Sequence, residues 1–207
     1  MTLTSISPLS LETFLKTADL ETASAWEYIN GKTYQKPMPQ PQHSRLQLKL
    51  ATAINQIPQT LAAAFPELRC TFGGRSLVPD IAVLRWAKIP FTPTGELNTT
   101  AILTPLDWTI EILSPGQSTT KVISNILFCL AAGSELGWLI DPGDRAVLTL
   151  HPPQQINIYH HEQTLPTLTG IDLHLTVNQL FQWLQMGQPN PKNNLNYGLG
   201  ADELESE

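Results

Sequence analysis

The spacing of hydrophobic and polar positions changes several times along this chain and predicts an alternation of helices and strands. The longest helical pattern runs from Gln42 to Phe65, with a bend or break expected near Pro58. A second amphipathic pattern begins at Ser118 and ends at Gly133, two residue types that favour the start and the end of a helix. Shorter helices are predicted in "SPLSLETFLKTA" and "LTVNQLFQWLQ".

Strand patterns fill most of the remaining chain. Asn30 and the glycine after it form a strong hairpin signal between strands at Trp26–Ile29 and Lys32–Lys36. The glycine pair that begins at Gly73 separates two strands in "ELRCTFGGRSLVPDIAVLRW", and residues 88–105 read as a surface loop. Further strands are predicted in "DWTIEILSP", "LGWLIDP", "AVLTLHP" and "INIYHH". Together these elements predict an α/β or α+β domain with a mixed sheet.

Size and composition fit one domain with an appendage. A chain of 207 residues, 42% of them hydrophobic, can bury a sizeable core, and Cys70 and Cys129 in apolar segments are predicted to fill it. We expect a single domain over residues 1–186 and a flexible acidic tail over residues 187–207. No apolar stretch approaches the ~20 residues of a membrane span, and no signal sequence is visible. We therefore expect a soluble, cytoplasmic protein.

The net charge of −6 argues at first sight against a nucleic-acid partner, because phosphate binding relies on Lys and Arg. The charge is unevenly spread, however. The predicted tail contributes −3, from four acidic residues against one lysine, which leaves −3 for the body. An acidic metal site would account for a good part of that remainder.

Two acidic residues interrupt strands that otherwise read as buried. Asp80 stands directly before "IAVL", and in "TIEIL" Glu111 faces the side of the sheet opposite to Ile110 and Ile112. If the two strands are neighbours, both carboxylates can point into one cleft. Two carboxyl groups at such a short distance resist ionisation unless a cation lies between them. Mg²⁺ is such a cation and prefers oxygen ligands. Taken singly, Asp80 is more simply a turn residue and Glu111 an exposed strand position.

The order of the segments resembles the PD-(D/E)XK superfamily of restriction-endonuclease-like proteins, and within it the Uma2 family (DUF820). The resemblance covers residues 10–185 and rests on "WEYINGK", "PQHSRLQLKLATAI", "RSLVPDIAVL", "WTIEILSPGQSTTKV" and "GWLIDP" in this order. No single segment is specific, but their combination is. The resemblance implies a restriction-endonuclease-like α/β core with a central mixed β-sheet flanked by helices, preceded by an N-terminal helix and β-hairpin.

The same resemblance implies a metal-dependent endonuclease that hydrolyses phosphodiester bonds of nucleic acid, DNA in preference to RNA. Asp80 and Glu111 would then be catalytic acids that hold Mg²⁺ or Mn²⁺, and the backbone carbonyl of Ile112 would complete the metal site. Because members of the superfamily often work as dimers, a homodimer is a further expectation.

The position of the catalytic lysine is where this chain departs from the pattern. The superfamily places a lysine two residues after the second acid, where this chain has Leu113, and Uma2 relatives place it on the following helix, at the position of Asn125. Lys121 lies one turn earlier on that helix and is the predicted substitute. By the same resemblance Glu27, His43 and Asn125 are supporting residues. Alone, Glu27 would read as an exposed hairpin charge and His43 as a helix-terminal residue.

These departures leave an alternative open. A nuclease fold without activity could serve as a nucleic-acid-binding or protein-binding regulator, and a purely structural domain is a third interpretation. Nuclease function also needs cations for the phosphate backbone. The basic residues expected near the cleft are Arg45, Arg69, Arg75 and Lys88.

Overall fold

The computed structural model describes residues 9–16, 25–58 and 61–187 of the chain. The helices are α1 (Leu11–Leu15), α2 (Pro41–Asn55), α3 (Thr119–Ala131) and α4 (Val177–Gln182). The strands are β1 (Trp26–Ile29), β2 (Lys32–Gln35), β3 (Ala62–Pro66), β4 (Cys70–Phe72), β5 (Arg75–Leu77), β6 (Ile81–Arg85), β7 (Trp108–Ile112), β8 (Leu136–Asp141), β9 (Ala146–His151) and β10 (Gln155–Tyr159). They form a four-stranded sheet in the order β2-β1-β5-β4 and a six-stranded sheet in the order β10-β9-β8-β7-β6-β3.

The mixed sheet flanked by helices confirms the predicted fold class. In the large sheet only β7 and β8 are parallel among the paired strands, and α3 connects them, while the other pairs are antiparallel. The predicted hairpin is also present. Asn30 and Gly31 adopt the positive φ angles, 52° and 80°, that a tight turn between β1 and β2 requires.

The predicted helix from Gln42 to Phe65 is wrong in its second half. The helix α2 ends at Asn55, and Ala62–Pro66 form strand β3 instead, paired with β6. The run of alanines after Pro58 fits either period, so the pairing partner decides its conformation. Asn55 joins the end of α2 to β3, because its side chain accepts from the N–H of Ala64 at 2.7 Å and donates to the C=O of the same residue at 2.9 Å.

A second correction concerns "RSLVPDIAVLRW", which we predicted as one strand. The structure divides it into β5, in the small sheet, and β6, in the large sheet. Pro79 lies at the division because it has no N–H to give to a ladder. The chain thus crosses from one sheet to the other over residues 78–80, and Asp80 is the last residue before β6 begins.

The core lies on both faces of the large sheet. On one face Ile81, Val83, Ile110 and Ile112 pack with the apolar side chains of α2 and α4. On the other face α3 and the small sheet cover residues such as Ala82, Leu84 and Leu139. Cys70 and Cys129 are buried and unpaired in this second layer, as expected. Apart from Gly187, the predicted tail lies outside the described residues.

Within the described ranges, no helix combines the length and the apolar character needed to cross a membrane.

Candidate active site

The register of β6 and β7 brings the two predicted acids together. Ile81 pairs with Ile110, so Asp80, one residue earlier, lies across from Glu111, one residue later. Both side chains are buried, with residue exposures of 3% and 6%. The fold therefore places two carboxylates in one buried cleft between α2, α3 and the small sheet.

A lysine that the sequence analysis did not single out lies between these carboxylates. Lys36 follows the last residue of β2, and its Nζ donates to Asp80 Oδ1 at 2.7 Å and to Glu111 Oε2 at 3.2 Å. The same ammonium donates to the carbonyl of Val78 at 2.8 Å. Three acceptors from two segments, the sheet crossing over residues 78–80 and strand β7, thus surround one cation, whose side chain is 16% exposed.

Asp80 is held in a fixed orientation by its neighbours. The backbone N–H of Ile112 donates to Oδ2 at 2.7 Å, and His43 Nε2 lies 3.3 Å from Oδ1. The Gln47 amide donates to the backbone carbonyl of Asp80 at 2.8 Å. Both carboxylate oxygens and the carbonyl are therefore engaged, which fixes the side chain relative to β7 and α2.

Two further predicted residues support this arrangement. His43 lies in the first turn of α2, and its Nδ1 is 3.2 Å from the hydroxyl of Ser114, so it joins α2 to the loop after β7. Glu27 on β1 is 5% exposed and accepts the N–H of Val78 at 3.1 Å. It is thus a buried residue rather than an exposed hairpin charge, and it fixes the start of the sheet crossing that carries Asp80.

The two carboxyl groups differ in their electrostatics. Burial alone would raise the pKa of Asp80, but the ammonium of Lys36 and the hydrogen bond from His43 outweigh it and hold that pKa well below its ordinary range. Burial raises the pKa of Glu111 to about 8, because the attraction of Lys36 offsets it only in part and the negative charges of Asp80 and Glu27 add to it. One acid is therefore firmly ionised, and the other resists ionisation.

Lys36 itself is stabilised as a cation. Burial would lower the pKa of its ammonium, but the charges of Glu111, Asp80 and Glu27 together raise that pKa above its usual value. The ammonium thus compensates the negative charge of the cleft.

The predicted lysine, Lys121, lies close by but contacts a different group. It lines a cavity of about 260 Å³ with Glu111 and Asn125, and its Nζ stacks on the ring of Tyr34, 3.6 Å from the centroid. Leu113, at the usual lysine position, packs against the α3 side of the sheet. The catalytic role of Lys121 stays a prediction, whereas the lysine in contact with the carboxylates is Lys36.

A weak signal for Lys36 exists in the sequence. The two-residue period of the predicted strand Lys32–Lys36 puts Tyr34 and Lys36 on one face. In the structure both residues are half-buried, while Thr33 and Gln35 are exposed. A lysine on the inner face of a hairpin is unusual enough to suggest a buried partner. The partner itself could not be found this way, since Asp80 and Glu111 are 44 and 75 residues further on.

Open space reaches the carboxylates from two sides. On the Asp80 side lies a cavity of about 180 Å³, which Lys36 and His43 also line. It shares His43, Ser114 and Gln117 with a larger cleft of about 520 Å³ between the start of α2 and the loops after β7 and β8. On the Glu111 side lies the cavity that contains Lys121. The larger cleft therefore adjoins the cavity on the Asp80 side.

The donor set suits a divalent metal ion. Two carboxylates from neighbouring strands converge on a position that the Lys36 ammonium, itself a cation, now holds, and such hard oxygen donors are those that Mg²⁺ and Mn²⁺ prefer. Within the described part of the chain, no group of three or more His, Cys, Asp or Glu side chains has the geometry of a metal site. Water or substrate oxygens would complete the coordination, as is usual for Mg²⁺. The carbonyl of Ile112 as a ligand stays a prediction.

The four basic residues that we expected to meet phosphates are held by contacts within the fold. Their partners are the carbonyl of Trp183 for Arg45, the carbonyl of Trp26 and the hydroxyl of Ser76 for Arg69, the ring of Phe128 for Arg75, and the carboxylate of Asp107 with the carbonyl of Pro105 for Lys88. These side chains stabilise the fold as it stands, so phosphate binding by them would cost an internal contact each.

Comparisons with known proteins agree with this architecture. A family model for Uma2, described as "putative restriction endonuclease", matches residues 11–183. A solved structure, described as a putative nuclease belonging to DUF820 from Anabaena variabilis ATCC 29413, is similar with 47% sequence identity and a TM-score of 0.81. The match covers 86% of this chain and 100% of that one. No curated protein matches. The family model and the solved structure together establish that this chain belongs to the Uma2 (DUF820) family.

Proposed function

We propose that the protein is a metal-dependent endonuclease that hydrolyses phosphodiester bonds of nucleic acid, DNA in preference to RNA. The observation that carries the proposal is the convergence of Asp80 and Glu111, buried on neighbouring strands, on one cation position. The description of the Uma2 family as "putative restriction endonuclease" supports it. The homodimer, the cytoplasmic location and the division into one domain and a tail remain proposals of the same kind.

In this proposal Asp80 and Glu111 would hold Mg²⁺ or Mn²⁺. Such an ion, when bound, polarises a phosphodiester oxygen and lowers the pKa of a water molecule. The chain's own residues provide the geometry: the Ile112 N–H and His43 fix the carboxylate of Asp80, and burial of the site strengthens every charge interaction within it. Lys121, in the cavity beside Glu111, is the group proposed to orient the water.

A second candidate function is an inactive nuclease fold that binds nucleic acid or protein. The observation in its favour is Lys36, whose ammonium already lies between the two carboxylates, together with Leu113 where the superfamily pattern has a lysine. An inactive module of this kind would need no metal, because the Lys36 ammonium takes the position between Asp80 and Glu111.

Cleavage assays test the proposal. Labelled single-stranded and double-stranded DNA and RNA would be incubated with Mg²⁺ or Mn²⁺ and with wild type, Asp80→Asn or Glu111→Gln, which keep the shape of each side chain. Asp144→Asn, in the exposed turn after β8, is the matched control. We expect wild type and the control to cut and both site variants to lose cutting. No cutting by folded wild type on any substrate would favour the inactive module.

A further inference from the structure

Lys36 contacts one oxygen of each carboxylate that would hold a metal ion. Its Nζ is 2.7 Å from Asp80 Oδ1 and 3.2 Å from Glu111 Oε2. A divalent ion on the same oxygens would lie about 2.1 Å from them. Two cations cannot share that position, because they would overlap and repel each other. The ammonium must therefore leave before a metal ion can bind both carboxylates through Asp80 Oδ1 and Glu111 Oε2.

The chain allows Lys36 to leave without unfolding the site. The backbone N–H of Lys36 donates to the carbonyl of Ala25 at 2.9 Å, which keeps its Cα at the end of the hairpin. Residues 37–40, which follow, are exposed and belong to no helix or strand. A lysine side chain has four flexible carbons, and its rotation alone can move the charge by several bond lengths.

Space for the displaced ammonium lies on either side. Lys36 lines both the cavity on the Asp80 side and the cavity on the Glu111 side. Among the described residues that line the former, it is the one lysine or arginine, and this cavity adjoins the larger cleft. An ammonium displaced to the Asp80 side would lie in a cavity that adjoins the larger cleft.

We propose that Lys36 and a divalent metal ion compete for Asp80 and Glu111, and that the incoming metal turns the Lys36 ammonium from the carboxylates toward the substrate phosphate. This inference rests on the proposed metal-dependent function. Without metal, Lys36 keeps the two buried carboxylates together. With metal, the same side chain becomes a cation for substrate binding, in a cleft with few others.

Metal affinity is the direct test, and it needs no activity. The protein would be titrated calorimetrically with Mn²⁺, and with Ca²⁺ as a second ion. Lys36→Met removes the competing charge at similar side-chain length, and we expect it to bind Mn²⁺ at least about tenfold more tightly than wild type, since close charge pairs are worth that much or more. Lys36→Arg keeps the charge and should bind no more tightly than wild type. Lys32→Met, on the exposed part of the same hairpin, should match wild type.

A second measurement uses wild-type protein alone. Trace acetylation followed by mass spectrometry should find Lys36 protected without metal and reactive at saturating Ca²⁺, while Lys32 reacts equally in both conditions. Because it uses wild-type protein, this measurement tests the competition even if Lys36→Met does not fold. An unchanged reactivity of Lys36 on metal binding would overturn the competition, as would tighter Mn²⁺ binding by Lys36→Arg.

The outcomes separate this inference from the proposed nuclease activity. If wild type cleaves nucleic acid but Lys36→Met binds Mn²⁺ no more tightly, the competition is wrong and the nuclease proposal stands. If Lys36→Met binds Mn²⁺ more tightly but no form of the protein cleaves, the competition stands and the nuclease proposal fails. If neither wild type nor Lys36→Met binds metal, both fail.

Discussion

Replacing Glu111 by glutamine should make the protein more stable in alkaline solution, although it removes an ion pair with Lys36. Glu111 is buried beside two other acids, and its pKa is raised from 4.5 to about 8 in the folded protein. A group whose pKa is raised on folding stabilises the fold only while it stays protonated. The wild type should therefore lose stability as the pH rises from about 4.5 to about 8, and glutamine, which cannot ionise, should not.

The magnitude follows from the two pKa values. A tenfold change in an acid constant is worth about 1.4 kcal/mol. The rise from 4.5 to about 8 therefore corresponds to at most roughly 5 kcal/mol of unfolding free energy above pH 8. The glutamine amide needs its own hydrogen-bond partners, so we expect Glu111→Gln to exceed wild type by between about 2 and 5 kcal/mol at pH 9, and by less than about 1 kcal/mol at pH 5.

Urea unfolding followed by tryptophan fluorescence at pH 5, 6, 7, 8 and 9, without divalent metal, would measure this difference. The exposed Glu96, in the loop after β6, provides the control Glu96→Gln, which should follow wild type throughout. A difference between Glu111→Gln and wild type that does not change with pH would refute the reasoning. So would a wild type that is the more stable protein at pH 9, because the carboxylate would then be stabilised by its surroundings.

Three further predictions follow from neighbouring features. Asp80→Asn should cost about 2–4 kcal/mol of unfolding free energy at neutral pH, and that loss should shrink as the pH falls below 3.8, because folding lowers the pKa of Asp80. Gly137→Ala should lower the unfolding free energy measured in urea by about 1–3 kcal/mol, since a Cβ there would overlap the Cγ2 of Ile126. Burial raises the pKa of Cys70 to about 12, so iodoacetamide at pH 8 should label it only as the protein unfolds.

Each of the three has a contrary result and a control. If the stability lost in Asp80→Asn stays the same in acid, the loss is caused by the changed hydrogen bonding or packing of the side chain and not by the missing charge. Gly187→Ala, where a Cβ meets nothing within 4 Å, should leave stability unchanged, and an equal loss at both glycines would reject the packing argument. Rapid labelling of Cys70 in the folded protein would show that its layer of the core opens freely.

Local patterns in the sequence were sufficient to predict that Asp80 and Glu111 lie close together. The alternation in "TIEIL" was sufficient to place Glu111 on the opposite face from Ile110 and Ile112, and the structure has that alternation. The neighbouring strands β6 and β7 are close in the chain, so their pairing was a natural expectation. The sequence therefore predicts the features that depend on the two-residue period of a strand and on the pairing of strands that follow each other in the chain.

Features that depend on distant parts of the chain could not be predicted. Lys36 lies just beyond a strand, and nothing in the order of residues indicates that Asp80, 44 positions later, is its partner. The end of α2 was missed because Ala62–Pro66 fit a helix or a strand equally, and their pairing with β6 decides the matter. The change of sheet at Pro79 was missed for the same reason, since an apolar run in the sequence does not show which strand each half of it pairs with.

The course of the chain between the two sheets links the geometry of the candidate site to the relative position of the sheets. The chain passes from one sheet to the other after β2, after β3 and after β5, and these passages bring Lys36, Glu67 and Asp80 to the same cavity. A slight rotation of one sheet against the other would change the distances between these residues while each sheet kept its own hydrogen bonds. The ring of Phe72 in the small sheet stacks on Phe128 of α3, so substitutions at this contact would shift the small sheet and change the geometry of a cavity that neither ring lines.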